Sequence, residues 1–306
     1  MEVRKAFAGT LQSLMEKNEK IVMLDADLAK AGGTFNLRQV FPDRAIDCGI
    51  AESNMVSVAA GLSAYGYIPF VSTFAPFLAR RAFDQIAVSV VYAGQNVKLI
   101  GMDPGIAAEL NGGTHMSFED IAAMRAVSNM VVFEPVDSTQ MALALPQIVD
   151  YKGPVYIRMF RKETPDVFNK PNYKFDLFKA DTIKEGKDIS IFVSGLLTAD
   201  TVAAAEILAK EGIDAEVINI HTIKPIDEQA VLTSAKKTGR VLTVENHNKH
   251  GGLFGAVSEL LSENLPTRCS YVAIEDKLGV VGKLDELKGY YGLTTQDIVK
   301  KAKSLL

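Results

Sequence analysis

The 306-residue chain reads as an α/β protein of two doubly wound domains, and three observations predict it. Short, apolar, β-branched runs alternate with stretches of helical period, the order of a mainly parallel sheet covered by helices on both faces. The alternation lapses once, over residues 161–187, and then resumes. Hydrophobic residues make up 48% of the chain and charged residues 23%, so apolar surface suffices for a sizeable core.

The first set of strands is expected at 20–24 (KIVML), 44–49 (RAIDCG), 67–72 (YIPFVS), 96–101 (NVKLIG), 130–135 (MVVFEP) and 153–159 (GPVYIRM). Helices are expected between and around them, at 2–17, 52–65, 74–93, 118–127 and 137–150. Residues 161–187 are polar, contain Pro165 and Pro171 and hold no sustained period, as a linker with room for a small hairpin would. A second set of strands follows at 188–194, 214–220, 240–245 and 268–274, with helices near 198–211, 227–237 and 251–264. Thr294 and Asp297 have capping-box spacing ahead of Ile298, Ala302 and Leu305, which share one face of a final helix.

The formal net charge is −4 and no long basic run occurs, which gives nucleic-acid or anionic-membrane binding no compositional support. Cys48 and Cys269 stand far apart in apolar surroundings and are expected as buried, reduced thiols; Cys/His metal-ligand spacing is absent. The first 17 residues form an amphipathic helical pattern without the apolar run of a secretory signal. The apolar stretch 55–71 is broken by Ser57, Gly61, Ser63, Gly66 and Pro69, so no spanning segment is expected and the cytoplasm is the default location. No glycine-rich phosphate loop of dinucleotide or Walker type follows a strand; AGGTFN (31–36) and NGGTH (111–115) are weak substitutes.

Glu52, in DCGIAESNM (47–55), stands where a strand hands over to a helix. Two readings are open: a first-turn acid favoured by the helix dipole, or a partly buried carboxylate poised for a protonated ring nitrogen. The surrounding residues bear on the choice. Gly49, Ile50, Glu52 and Met55, then Ala59 and Gly61, then Thr73-Phe74-Ala75-Pro76-Phe77, resemble the pyrimidine-binding segment of the transketolase family. The similarity continues through GGTHMSFEDIAAMRAVSNMVVFEPVD, KPIDEQAVLTSAKKTGRVLTVENH and the tail EDKLGVVGKLDELKGYYGLTTQDIVKKAKSLL.

The resemblance covers nearly the whole chain but only the C-terminal half of a full transketolase, so the chain resembles the small subunit of a split enzyme. It implies a pyrimidine-binding-type domain over 1–165, a linker over 166–187 and a smaller, mixed-sheet C-terminal-type domain over 188–306. It implies thiamin diphosphate as cofactor, with Glu52 on the pyrimidine N1′ to activate the ring. The diphosphate and its Mg²⁺ belong, by resemblance, to a separate N-terminal subunit. The active site would then form between chains, in a heterotetramer of two small and two large subunits.

Residue by residue, Phe74 and Phe77 match the aromatic pair around the aminopyrimidine ring; core packing at i and i+3 is the alternative. Asp27, past a strand's C-terminal end, matches an aspartate near the cofactor, with a turn or cap role as the alternative. His115 matches a histidine near the ketose C1 and C2 oxygens and stands as a catalytic and substrate-binding candidate. Arg4 and Arg161 match the pair that grips the sugar phosphate; Arg158 and Arg80 are weaker candidates. Two positions depart from the family pattern: Asp103 stands in place of a histidine, and Asn111 in place of an aspartate that contacts the acceptor. Both alter the sugar side of the pocket and imply a modified or branched sugar.

The expected reaction is transfer of a two-carbon ketol unit from a ketose to an aldose. Its rivals are the β subunit of a 2-oxoacid dehydrogenase, a deoxyxylulose-phosphate synthase-like half, and a noncatalytic assembly subunit. The stretch ENHNKHGGLFGAVSELL is read as a strand-end loop serving packing or a subunit interface, with a ligand site as the alternative; His221, His247 and His250 have no assigned role.

Overall fold

A computed structural model describes all 306 residues. The chain forms two compact units, residues 1–104 with 123–175, and residues 105–122 with 176–306.

The first unit carries six parallel strands, β1 (Ile21–Asp25), β2 (Ala45–Asp47), β3 (Ile68–Phe74), β4 (Lys98–Met102), β5 (Val131–Phe133) and β6 (Val155–Met159). They lie in the order β5-β6-β4-β3-β1-β2. β1, β4, β5 and β6 are buried along their whole length, which is why their sequences read as continuous apolar runs rather than as alternations. The chain runs outward from β1 to β2 and then returns to β3 on the other side of β1. That reversal opens a crevice at the carboxyl ends of β1 and β3, where doubly wound sheets bind ligands.

Helix α1 (Val3–Lys17) buries Val3, Ala6, Phe7, Leu11 and Met15, spaced to make one stripe, and packs on α7 (Ser138–Asp150). Asp137 caps α7 by accepting from the Gln140 N–H at 2.9 Å, while its other oxygen accepts from the N–H groups of Val167 and Phe168. Short helices α2 (Ala29–Gly32) and α3 (Leu37–Val40) join β1 to β2, and α4 (Glu52–Ala64) follows β2.

The helix expected over 74–93 is replaced. β3 runs on to Phe74, which pairs with Met102 of β4, and the remainder breaks into π-helical turns at 77–81 and 86–92 around α5 (Phe83–Gln85). Strand pairing extends as far as the parallel register allows, and Pro76, without an N–H, fits only the opening of the following turn.

Helix α6 (Asp120–Ala126) spans the passage back from the second unit's segment 105–122. In the second unit the sheet order is β12-β11-β8-β9-β7, with β7 (Asp181–Lys184) antiparallel to β9 (Ala215–Asn219) and the other pairs parallel. The remaining strands are β8 (Ile189–Val193), the short β10 (Thr222–Lys224), β11 (Arg240–Asn248) and β12 (Arg268–Ile274). This is the smaller mixed sheet expected, and β7 lies inside the stretch read as linker. α8 (Thr198–Lys210) packs with α12 (Thr295–Lys303), and α9 (Glu228–Thr238) with α10 (Leu253–Asn264). The Thr294–Asp297 capping box forms as expected at the start of α12. α11 (Leu284–Tyr291) is an element the sequence reading did not include.

Cys48 and Cys269 are unpaired and half-buried rather than fully buried. Burial raises both thiols above their ordinary range, Cys269 to about 11, which disfavours the reactive thiolate. No helix is long and apolar enough to cross a membrane.

Candidate active site

Because all six strands of the first unit are parallel, their carboxyl ends share one edge of the sheet. Asp27 lies two residues past β1, Phe74 ends β3, Asp103 follows β4 and Arg161 lies two residues past β6. Glu52 opens α4 after β2. Five of the residues singled out by sequence therefore stand on that edge.

Glu52 is 4% exposed. Its Oε1 accepts from Arg81 Nη1 at 3.0 Å, while Oε2 takes no hydrogen bond from the chain. Arg81, which sequence reasoning missed, lays its guanidinium over the Phe77 ring at 4.0 Å. Phe77 in turn meets Phe74 edge to face, with ring centroids 5.8 Å apart. A signal for Arg81 was present: it stands four residues after Phe77 in a helical stretch, the spacing of side-chain neighbours.

Arg161 and Asp103 form a pair whose side chains are 18% and 3% exposed. The Arg161 N–H donates to Asp103 Oδ1 at 3.0 Å, and Nε and Nη2 both reach Oδ2. Burial pushes the Asp103 carboxyl up from its ordinary range, with Arg161 and Lys162 opposing it. The carboxyl meets only donors, so the geometry has no acceptor for a carboxylic proton and holds the ionised form. Asp103 was expected to line the sugar pocket, and both of its oxygens accept from Arg161. The Arg161 guanidinium also lies over Phe74 at 5.1 Å.

Arg4 joins the same corner through its backbone, its N–H donating to the Arg161 carbonyl at 3.3 Å. Its side chain donates to Glu2 and to the Ala31 carbonyl, each at 3.0 Å. Arg158 is fully buried and pairs with Glu134; Arg80 is exposed.

Asp27 is exposed, in a left-handed turn at φ 59°. Its N–H donates to Asp47 Oδ1 at 3.0 Å. Behind it lies a cluster that sequence reasoning did not find. Buried Asp25 accepts from the N–H groups of Leu28 and Ala29 and from Arg38 Nη2, which also reaches Asp47 Oδ2 at 3.0 Å. Burial works against the Asp47 anion, but the N–H groups of Gly49 and Asp27 together with Arg38 hold its carboxyl below the usual range.

Asn111 and His115 lie on the segment that belongs to the second unit. Asn111 is exposed; His115 is half-buried, with Nδ1 3.0 Å from the Thr114 hydroxyl. The segment is fastened within that unit. Asn246 Oδ1 accepts from the Ile106 N–H at 2.9 Å, and the Asn248 N–H donates to the Phe118 carbonyl at 2.9 Å. His247 Nδ1 donates to the Asn248 carbonyl and Nε2 accepts from the Ala122 N–H, which fixes the tautomer of a fully buried ring. Glu245 accepts from the N–H groups of Leu253 and Phe254 at the start of α10. Residues 245–247 thus serve internal structure. No group of three or more His, Cys, Asp or Glu side chains is arranged to hold a metal ion.

Comparison with known proteins also gives two parts, with residues 105–122 falling in the first. Residues 1–166 match the model of the transketolase pyrimidine-binding domain, and residues 178–298 that of the transketolase C-terminal domain. The chain is 49% identical over 300 residues to the 6-deoxy-6-sulfo-D-fructose transketolase subunit SqwH of a Clostridium species, covering 98% of this chain and 93% of that one. It is 36% identical over 299 residues to a subunit of the apulose-4-phosphate transketolase of Phocaeicola vulgatus, covering 98% and 96%. It matches 49% of the length of human transketolase, at 34% identity and with 99% of this chain covered. Among solved structures, one described as a split gene transketolase, inactive beta4 tetramer, superposes with a TM-score of 0.90 at 41% identity, covering 100% of this chain and 98% of that one. The chain belongs to the transketolase family and is of the kind that forms the C-terminal subunit of its split members.

Proposed function

We propose that this chain is the C-terminal subunit of a thiamin-diphosphate-dependent transketolase that moves a two-carbon ketol unit from a ketose with an anionic terminus to an aldose acceptor, and that it is active only with an N-terminal partner subunit. One observation carries the reading: a carboxylate 4% exposed, at the first residue of a helix, with one oxygen held by an Arg81 that stacks on Phe77 of the Phe74–Phe77 pair and the other taking no hydrogen bond from the chain. A protonated aminopyrimidine nitrogen fits that open oxygen, and Phe74 and Phe77 fit the ring's faces.

When bound, thiamin diphosphate supplies a nucleophilic carbon and an electron sink. Glu52 would hold a proton between Oε2 and the ring nitrogen, Arg81 orients the carboxylate through Oε1, and Phe74 and Phe77 would exclude water from the ring. His115 takes the part of donor or proton carrier to the sugar oxygens, and Arg4 and Arg161 fix the remote anion so that the reacting carbon is placed by binding energy from the far end. Asp27, on the same strand-end edge, would be a further contact to the cofactor. The partner subunit holds the diphosphate and Mg²⁺, in an assembly of two small and two large subunits. The relatives' names supply two candidate ketoses, a sulfonated fructose and apulose 4-phosphate.

The test is reconstitution with the N-terminal subunit, comparing wild type with Glu52→Gln. The variant is expected to assemble normally and to lose ketol transfer by about 10²-fold or more, whereas unchanged turnover refutes the assignment. Activity on pyruvate with none on ketoses would place the chain with the 2-oxoacid enzymes instead.

A further inference from the structure

We propose that the Asp103–Arg161 pair makes the sugar-terminus site select a singly charged group, of the sulfonate class, over a phosphate ester. The proposal rests on the reading of Arg4 and Arg161 as anchors of the substrate's anionic end and names the residue that sets their preference.

The pair has three properties that matter. First, it is rigid. Asp103 is 2% exposed, sits in the left-handed region at φ 46°, and is bonded through both oxygens to the backbone and side chain of one residue. Stacking on Phe74 fixes the guanidinium from a third direction. Second, it is one-sided. Nε and Nη2 turn inward to the carboxylate, and Nη1 takes no partner from the chain. Arg161 therefore offers a ligand one edge instead of the full fork that grips a phosphate. Third, it is neutral as a unit. A fixed, buried carboxylate lies behind the guanidinium, where water screens it poorly. Arg4 is matched in the same way by Glu2, although at a more exposed position.

A phosphate ester carries between one and a half and two negative charges near neutrality, with a second ionisation near pH 6. A sulfonate carries one, at every pH of interest, and its three oxygens only accept. Against two arginines each facing a carboxylate, the second charge of a phosphate finds no unmatched cation in the pair and meets the field of Asp103. Like-charge juxtaposition of this kind is a device of specificity, rejecting one ligand instead of tightening another.

The experiment uses the complex with the N-terminal subunit and two donor ketoses of the same carbon skeleton, 6-deoxy-6-sulfofructose and fructose 6-phosphate, with one acceptor aldose. Wild type is expected to favour the sulfonate in kcat/KM by about tenfold or more. Asp103→Asn keeps the shape and the acceptor for the Arg161 N–H and removes the charge. It should lower the sulfonate-to-phosphate ratio by about tenfold, chiefly through a smaller KM for the phosphate donor. Asp103→Glu, which keeps the charge, should leave the ratio on the sulfonate side. A wild-type preference for the phosphate donor overturns the proposal without any variant, as does a ratio that Asp103→Asn moves by less than twofold. Transfer from no ketose at all overturns the functional reading itself, and this inference with it.

Discussion

Glu52 and Arg81 form an ion pair of unequal depth: the glutamate side chain is 5% exposed and the arginine side chain 52%, at 3.0 Å. The buried partner is the one whose charge would be costly alone. Arg81→Met should therefore destabilise the protein by about 1–2 kcal/mol, a value discounted for the solvent around the guanidinium. Glu52→Gln should cost less in the Arg81→Met background than in wild type. A double-mutant cycle by urea unfolding measures this, and strict additivity would mean that the pair contributes nothing to stability.

Arg38 supplies the cation for both Asp25 and Asp47 behind the turn that carries Asp27. Arg38→Met leaves the nearly buried Asp25 carboxylate with only two backbone N–H donors. The expected loss is about 3 kcal/mol, read as a lower urea midpoint with unchanged slope. Asp47, held below its usual range partly by Arg38, should titrate at higher pH in the variant, which carboxylate NMR would detect.

What the sequence disclosed and what it hid have separate physical causes. All ten expected strands are present, because buried parallel strands announce themselves as short apolar runs. β10, three residues long, and β7, inside a polar stretch, carry no such signal. The strand-end positions of Glu52, Phe74 and Arg161 were legible from the strand pattern around them. Pairings were not: Glu52 and Arg81 lie 29 residues apart, and Asp103 and Arg161 lie 58 apart. Only the parallel register of β4 against β6 shows that the residues after those strands meet.

His221 gives the fold a pH dependence. Burial lowers its pKa from 6.5 to about 4, against the pull of the Lys179 carbonyl and of Asp176 and Asp227. Its Nε2 donates to that carbonyl at 2.8 Å, which the neutral ring satisfies. Between these two pKa values the unfolded chain binds a proton that the folded chain refuses, so stability rises with pH across the window and falls as the pH is lowered from 6.5 toward 4. The loss should reach about 3 kcal/mol. His221→Gln, which keeps an N–H donor without titrating, should flatten that part of the acid limb. Equal slopes in the two proteins, by urea unfolding at stepped pH, would show that another group carries the dependence.

The segment bearing His115 is held by an approach that only glycine permits. A Cβ on Gly113 would lie 2.3 Å from the Gly279 carbonyl oxygen, and one on Gly279 would lie 2.6 Å from Gly113 Cα. Both obstructions are backbone, which a rotamer change cannot relieve. The loop around Gly279 is itself pinned, since Tyr291 donates to the Leu278 carbonyl and accepts from the Val280 N–H. The Tyr291 ring meets Phe118 edge to face at 5.4 Å. A methyl at either glycine must therefore part the 113–115 turn from the 278–280 loop. Gly113→Ala should destabilise the protein by about 1–3 kcal/mol through overpacking. It should also speed hydrogen exchange at the amides of His115 and Met116, which bond back to Gly112 and Gly113. Tyr291→Phe, which keeps the ring contact and removes both hydrogen bonds, should reproduce the faster exchange at a smaller loss of stability. Exchange at these amides unchanged in both variants would mean that the turn stands without the support of the 278–280 loop.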